Sequence, residues 1–278
     1  MLNGGQVAGK VAFVTGAARG QGRSHAIRLA GEGADIIALD LCRQIGSVPY
    51  PMASPADLAE TVAAVEQLDR RVVAVEADVR DLDAVQAGLD AAVAELGRLD
   101  IVCANAGIVS YGMSSELSTQ AWRDVLDVNL TGVWHTVKAA AGHLAAAGPG
   151  GSIILTSSVG GLKGLAAMAH YVAAKHGVIG LMRTLALELG VHGIRVNSVL
   201  PTTVSTPMVE NEGFYRILFP EIDHPTAVDF AARRGTSILD IGYVEAIDVS
   251  NVVLFLASDE ARYVNAVALP VDGGMLAK

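Results

Sequence analysis

Short apolar runs that end in glycine or an acid alternate along the chain with longer segments whose apolar residues recur at helical spacing. Val11-Ala12-Phe13-Val14-Thr15 is the first run, and it stops at a glycine turn. A few apolar residues between turn signals read as a strand buried on both faces. From Gly20 to Gly33, Ile27, Leu29 and Ala30 fall at helical spacing, and Ala34 to Leu39 predicts a second strand with Asp40 at its C-terminal end. Residues 41–53 break the rhythm, with Pro49, Pro51 and no periodicity. A helix then starts at Ser54-Pro55-Ala56-Asp57, where an N-cap hydroxyl precedes a proline at the first helical position and an acid. A connection of about a dozen residues is long for this setting and reads as functional.

The alternation resumes with a strand over 71–77 closed by Asp78 and a helix over 82–96. A strand over 99–104 runs into Asn105-Ala106-Gly107, and one long helix is predicted over 118–147. Strands over 152–156 and 194–199 flank a helix over 171–191; a helix over 248–256 and a strand over 265–271 finish the pattern. Residues 202–245 hold three prolines and several aromatic residues with weak periodicity, and read as a lid. Alternating strands and helices predict an α/β fold: one doubly wound parallel sheet of about seven strands, with helices on both faces. No repeat or linker divides residues 1–278, so one domain is expected.

Composition narrows the class. Of 278 residues, 51% are hydrophobic, enough for a sizeable core. A net charge of −9 argues against a nucleic-acid partner. Two cysteines, Cys42 and Cys103, make no disulfide framework, which points to a reducing compartment. Residues 1–10 carry no apolar signal core, and the uncharged run 139–162 is broken by Gly148-Pro149-Gly150-Gly151, so no membrane span is expected. The expected place is the cytosol. No His/Cys/Asp grouping has metal-ligand spacing, so no catalytic metal is expected.

Two constellations carry chemistry. Gly16, Gly20 and Gly22, with Arg19 and Gln21 between them, lie between a strand and a helix, where backbone can approach a pyrophosphate and free N–H groups meet its charge. Asp40, about twenty residues on, suits the ribose hydroxyls of a dinucleotide and repels a 2′-phosphate, favouring NAD. Arg19 and Arg43 pull towards NADP, since a guanidinium can pair with that phosphate. Further on, Tyr171 and Lys175 are four residues apart and share a helix face, with Ser158 at a preceding strand end. A lysine ammonium favours the phenolate of a nearby tyrosine, which could then exchange a proton with an alcohol. Taken alone, the same pair reads more readily as an ordinary tyrosine beside a surface lysine. His170 and His176 flank it, and either packing or, for His170, a place in the substrate pocket would explain them.

Together, Thr15-Gly16-x-x-x-Gly20-x-Gly22, Asn105-Ala106-Gly107, Asn129, Ser158, Tyr171-x-x-x-Lys175 and Pro201 resemble the short-chain dehydrogenase/reductase family in order and spacing, over nearly the whole chain. The resemblance implies a Rossmann-type fold and a catalytic set of Asn129, Ser158, Tyr171 and Lys175. Tyr171 would be the acid/base, Lys175 its activator and a ribose binder, Ser158 the substrate orienter, and Asn129 the holder of a relay water. It implies cofactor contacts at Gly16, Arg19, Gly20, Gln21, Gly22, Asp40 with Leu41, Asp78, Val79, Asn105, Ala106, Gly107, Pro201, Val204 and Thr206, besides Tyr171 and Lys175. Two positions depart from the family pattern: Thr202 stands where glycine is frequent, and Ala104 where the first asparagine of Asn-Asn-Ala-Gly is usual.

The 41–53 loop and Pro201-Thr202-Thr203-Val204-Ser205-Thr206-Pro207-Met208 are similar to the carveol-dehydrogenase-like group of that family. That likeness implies a small hydrophobic alcohol or ketone as substrate, NAD held without ready exchange beneath residues 41–53, the peptide-derived carrier mycofactocin as redox partner, and a homotetramer. The alternatives are a 3-oxoacyl-carrier-protein reductase, disfavoured by Asp40 and the acidic charge, and a non-catalytic NAD-binding sensor.

Overall fold

A computed structural model describes residues 5–232 and 237–278. Residues 1–4, and 233–236 of the expected lid, lie outside the described residues. Seven parallel strands run β1 Val11–Thr15, β2 Asp35–Asp40, β3 Val72–Glu76, β4 Ile101–Ala104, β5 Ser152–Thr156, β6 Arg195–Pro201 and β7 Ala268–Val271. Their order across the sheet is β3-β2-β1-β4-β5-β6-β7. The expected doubly wound architecture is therefore present.

The helices are α1 Gly20–Ala30, α2 Pro55–Glu66, α3 Leu82–Leu96, α4 Thr119–Leu126, α5 Gly132–Ala147, α6 Ala169–Gly190, α7 Glu212–Leu218, α8 Ala227–Ala232 and α9 Ala246–Ala257. Strand residues divide between two cores because successive side chains point to opposite faces. Val11, Phe13, Ile37 and Leu39 join the core that holds Leu89 of α3, Val137 of α5 and Val178 of α6. Ala12, Val14, Ile36 and Ala38 join the core that holds Leu29 of α1, Leu58 of α2 and Val253 of α9. Burial on both faces is why these strands read as unbroken apolar runs.

The chain winds outward from β1 to β3, then returns to place β4 on the other side of β1. The carboxyl ends of β1 and β4 thus border a crevice where the winding direction switches, the place where such sheets receive ligands.

Three local differences from the expected pattern bear on the site. The single helix expected over 118–147 is interrupted between α4 and α5 by a π-helical turn, Asp127–Thr131. A π turn adds one residue per turn, which hydrophobic spacing does not report, and such turns gather at functional sites. Helix α6 starts at Ala169, not Tyr171, so Tyr171 and Lys175 sit on its first two turns. The weakly periodic 202–245 segment contains the short helices α7 and α8.

Candidate active site

The glycine turn links β1 to α1 and leaves the helix end open. Arg19 occupies the N-cap without a side-chain cap, and the first turn carries no acid. Its N–H groups and positive dipole end are therefore left for an anion. The turn can form only without side chains: a Cβ on Gly22 would collide with the Gly16 carbonyl, and one on Gly16 (φ +70) would come within 2.9 Å of Ala106 Cα. Thr15 Oγ1 accepts from Asn105 N (3.1 Å) and Ala106 N (3.2 Å), and Asn105 Nδ2 donates to Thr15 O (3.1 Å). These bonds hold the ends of β1 and β4 side by side.

A cleft runs from Asp40, Leu41, Asp78 and Val79 past Gly16, Arg19, Gln21 and Gly22 to Asn105, Gly107 and Thr206. A glycine cradle that side chains would fill, a bare helix N-terminus and a carboxylate at the far end fit a dinucleotide's pyrophosphate and sugar. Asp40 is nearly buried, and its oxygens accept from Ala18 N (3.0 Å) and Cys42 N (3.2 Å). It shapes the turn as well as lining the cleft. Asp78 pairs with Arg80 (2.7 Å), which holds its carboxyl below the usual range against the opposing effect of burial. Neither arginine that favoured NADP stands free. Arg19 Nη2 donates to Pro51 O (2.6 Å), and Arg43 leans towards Asp78 at 3.8 Å.

Residues 41–53 form a compact loop over this end of the cleft. The Gln44 amide donates to Val48 O (3.0 Å) and accepts from Met52 N (3.0 Å). Ser47 Oγ donates to Asp124 (2.7 Å) on α4, and Ile45, Val48 and Tyr50 are buried. Tyr50 Oη accepts from Val109 N (3.2 Å), joining the loop to the segment after β4.

The second constellation adjoins the first. A smaller cavity between Asn105, Gly107, Thr156 and Thr206 contains Tyr171 and Lys175 and shares Gln21 with the cleft. Lys175 is 3% exposed and donates from Nζ to Thr156 O at 2.7 Å. Its Nζ lies 5.6 Å from the Tyr171 ring centre. Burial lowers the Lys175 pKa to about 8. Burial raises that of Tyr171, and a hydrogen bond with Ser158 partly offsets this. Burial therefore opposes the phenolate that the Lys175 ammonium favours. Ser158 caps a single 3₁₀ turn, its Oγ accepting from Gly160 N (3.1 Å).

Asn129 is fully buried in the π turn. Its amide accepts from Ile108 N and donates to Ile108 O, both at 2.8 Å, and so grips the backbone beside Gly107. Pro201 and Val204 border the same cavity as Tyr171. His170 is buried with Nε2 2.8 Å from Ser110 Oγ, and His176 is exposed. Among the described residues, no group of three or more His, Cys, Asp or Glu could hold a metal ion. Among the described residues, no helix is long and apolar enough to cross a membrane.

The short chain dehydrogenase family model matches residues 10–213. The chain belongs to the short-chain dehydrogenase family. It is 54% identical to (-)-trans-carveol dehydrogenase of Rhodococcus erythropolis, over 98% of this chain and 99% of that one. Among solved structures it is similar to carveol dehydrogenase from Mycobacterium avium in complex with NAD, with TM-score 0.97 and 56% identity over 99% of this chain and 100% of that one. A short chain dehydrogenase from Mycobacterium paratuberculosis bound to NAD gives TM-score 0.90 and 46% identity over 99% and 100%.

In this dehydrogenase a third cavity, of about 210 Å³, opens beside Ser158 and Tyr171. Leu165, Met168, Met208, Phe214, Leu218 and Phe230 make it apolar, and Tyr111, Thr202 and Met275 are also in its wall. Tyr111 Oη donates to Met208 O (3.0 Å), tying the lid to the segment after β4, and Thr202 Oγ1 donates to Met275 Sδ (3.0 Å). Met208, Phe214 and Phe230 were legible as lid residues. Val109, Tyr111, Leu165, Met168 and Met275 were not. Their one signal is position, in loops that leave the carboxyl edge of the sheet or return to it.

Proposed function

We propose that this NAD-dependent oxidoreductase interconverts an uncharged, hydrophobic secondary alcohol, carveol-like or otherwise cyclic, and its ketone. The observation that carries this is the apolar cavity whose polar end is formed by Ser158 and Tyr171, beside the Lys175 cavity. Its described lining holds no charged side chain, which suits a terpenol and disfavours an acidic acyl carrier. NAD, when bound, accepts or returns the hydride of the carbinol carbon. Gly16, Arg19, Gly20, Gln21 and Gly22 receive its pyrophosphate half. Asp40, Leu41, Asp78 and Val79 receive the adenosine, and Asn105, Ala106, Gly107, Pro201, Val204 and Thr206 the nicotinamide half.

Tyr171 takes the alcohol proton at Oη or gives it back. Ser158 holds the substrate oxygen within reach of that hydroxyl. Lys175 keeps a positive charge beside the phenol and binds a ribose hydroxyl. Asn129 holds the Ile108 backbone so that the floor of the cavity stays in place. Residues 1–278 act as one catalytic domain, with 41–53 as the cofactor-side loop and 202–245 as the lid.

The loop's internal bonds and its Arg19 and Tyr50 anchors support slow exchange of NAD, which would require an acceptor such as mycofactocin to reoxidise it in place. Exposed large apolar side chains, Trp122, Trp134 and Leu187 on α4, α5 and α6 and Phe255 on α9 with Tyr263 after it, support a homotetramer.

A panel of cyclic and linear alcohols, assayed with free NAD and with an artificial electron acceptor, tests the reading. Cyclic secondary alcohols should turn over best, and Tyr171→Phe should lose about 10²–10⁴-fold in rate while still binding NAD. Undiminished turnover by Tyr171→Phe would remove Tyr171 as the acid/base. NAD in the supernatant of protein purified without added cofactor and then denatured checks the slow exchange, and light scattering checks the tetramer.

A further inference from the structure

The connection from β3 to α3 is fastened from α5. His135 Nδ1 lies 2.9 Å from Val79 O. A carbonyl oxygen only accepts, so Nδ1 carries the proton and donates it. Val79 and Asp78 are in the wall of the long cleft, and His135 is not. Gly132, three residues earlier on α5, lets the helix come close: a Cβ there would lie 2.6 Å from Val79 Cγ2.

Val79 O and Arg80 N belong to one peptide unit. That unit is planar and trans, so its C=O and N–H point in opposite directions. Arg80 N donates to Asp78 Oδ1 at 2.9 Å. With the carbonyl held towards α5, the N–H is kept on the Asp78 carboxylate. The Arg80 side chain adds bonds to the same carboxylate from Nε (3.0 Å) and Nη2 (2.7 Å). Three N–H groups thus meet a carboxylate that offers about four acceptor sites. One site is left, on a side chain that is 12% exposed and borders the adenosine end of the cleft. The amino group of adenine supplies the donor that such a site lacks.

We propose that His135 is a positioning residue for the cofactor's adenine: through the Val79–Arg80 peptide it sets the Asp78 carboxylate where the adenine amino group donates to it. Without the His135 donor, that peptide is free to rotate and its N–H leaves Asp78. The carboxylate is then held by the Arg80 side chain alone, which Asp124 also draws at 3.0 Å. The inference rests on NAD in this cleft and adds a side chain outside its wall.

The test compares NAD with nicotinamide hypoxanthine dinucleotide, in which an oxygen replaces that amino group and would face the carboxylate. The full-length protein is held with an equal excess of both until the bound ratio is constant. It is then freed of unbound nucleotide and denatured, and the released nucleotides are quantified by chromatography. Wild type should favour NAD; equal binding of the two would place the amino group away from Asp78 and overturn the proposal. His135→Phe keeps a ring beside Trp134 without the donor, and should lose about five- to ten-fold of the preference. His135→Leu removes the same donor with a different shape and should lose as much. An unchanged ratio in either variant would overturn the assignment, since the donor is absent from both. His135→Asn keeps an N–H near the place of Nδ1 and should keep the ratio; a loss there would trace the effect to packing of the imidazole. In an Asp78→Ala background His135→Phe should change the ratio no further. A further fall would show that His135 acts other than through Asp78, against the proposal. A protein that releases no dinucleotide would overturn the cofactor reading beneath it, a result distinct from an unchanged ratio.

Discussion

Lys175 is placed where its charge is useful and unstable at once. The ammonium is buried and has one neutral partner in the protein, Thr156 O. Burial takes its pKa from the ordinary 10.5 down to about 8. For a base depressed by burial the sign is clear: the unfolded chain binds more protons between those values, so the charge destabilises the fold fully below about pH 8 and the penalty fades as pH rises towards 10.5. Lys175→Met should therefore raise the melting temperature at pH 7, lose that advantage by about pH 10, and abolish turnover. A melting temperature that falls equally at both pH values would show that packing, not charge, dominates there. The spacing of Tyr171 and Lys175 was legible in the sequence, and so was Asp40. The burial that raises Tyr171 and lowers Lys175 was not, because desolvation depends on what other segments bring over the pair. Asp40 shows the same limit, since its bonds to Ala18 N and Cys42 N arise only once the glycine turn and the loop after β2 meet.

Among the elements, the short stretch after β4 joins the most parts of the site. Ile108 is held by Asn129 in the π turn, Val109 N donates to Tyr50 of the 41–53 loop, and Ser110 meets His170 of α6. Tyr111 reaches Met208 in the lid, and Gly112 N donates to Ala167 O. Five successive residues thus tie five different segments around the cofactor and substrate spaces. Tyr50→Phe keeps the buried ring and removes only the oxygen that Val109 N donates to. NAD should then leave faster by several-fold, read as dissociation of bound NADH by fluorescence, with little change in melting temperature. If the release rate matches wild type, the loop closes the cleft by packing alone. The sequence marked residues 41–53 and 202–245 as exceptions to the strand–helix rhythm, since prolines and lost periodicity are local. It gave no sign of the Tyr50 or Tyr111 bonds, whose partners lie 59 and 97 residues away. It also missed the π turn, which leaves both flanking helices intact.

At the scale of the whole molecule, α1 and α9 pack together across the face that covers β1, and a charge-sensitive contact lies between them. His25 is fully buried, with Nδ1 2.8 Å from Ser250 Oγ. Burial lowers its pKa from 6.5 to about 3. The unfolded chain therefore takes up a proton at His25 that the folded chain refuses, and stability falls as pH drops from about 6.5 towards 3. His25→Asn keeps a polar group for Ser250 and does not titrate. Its melting temperature should decline less steeply than wild type between pH 6.5 and 4.5; parallel slopes would assign acid sensitivity to other groups. The glycine turn sits at the start of α1, so loosening of this contact in acid should also weaken NAD binding.

The sequence by itself determined the strand–helix alternation, the parallel sheet and the family, because these rest on local periodicity and on motifs whose members lie close in the chain. It also determined that a phenol, an ammonium and a hydroxyl share one region, since their spacing on a strand end and a helix leaves little freedom. Only the tertiary structure decided what surrounds them. The apolar wall built from Leu165, Phe214, Phe230 and Met275 and the clasp of Arg19 on Pro51 join segments far apart in the chain. Such contacts follow from how the loops converge at the carboxyl edge of the sheet. No pattern along the chain encodes that convergence, because each loop's path is set by the others packed against it.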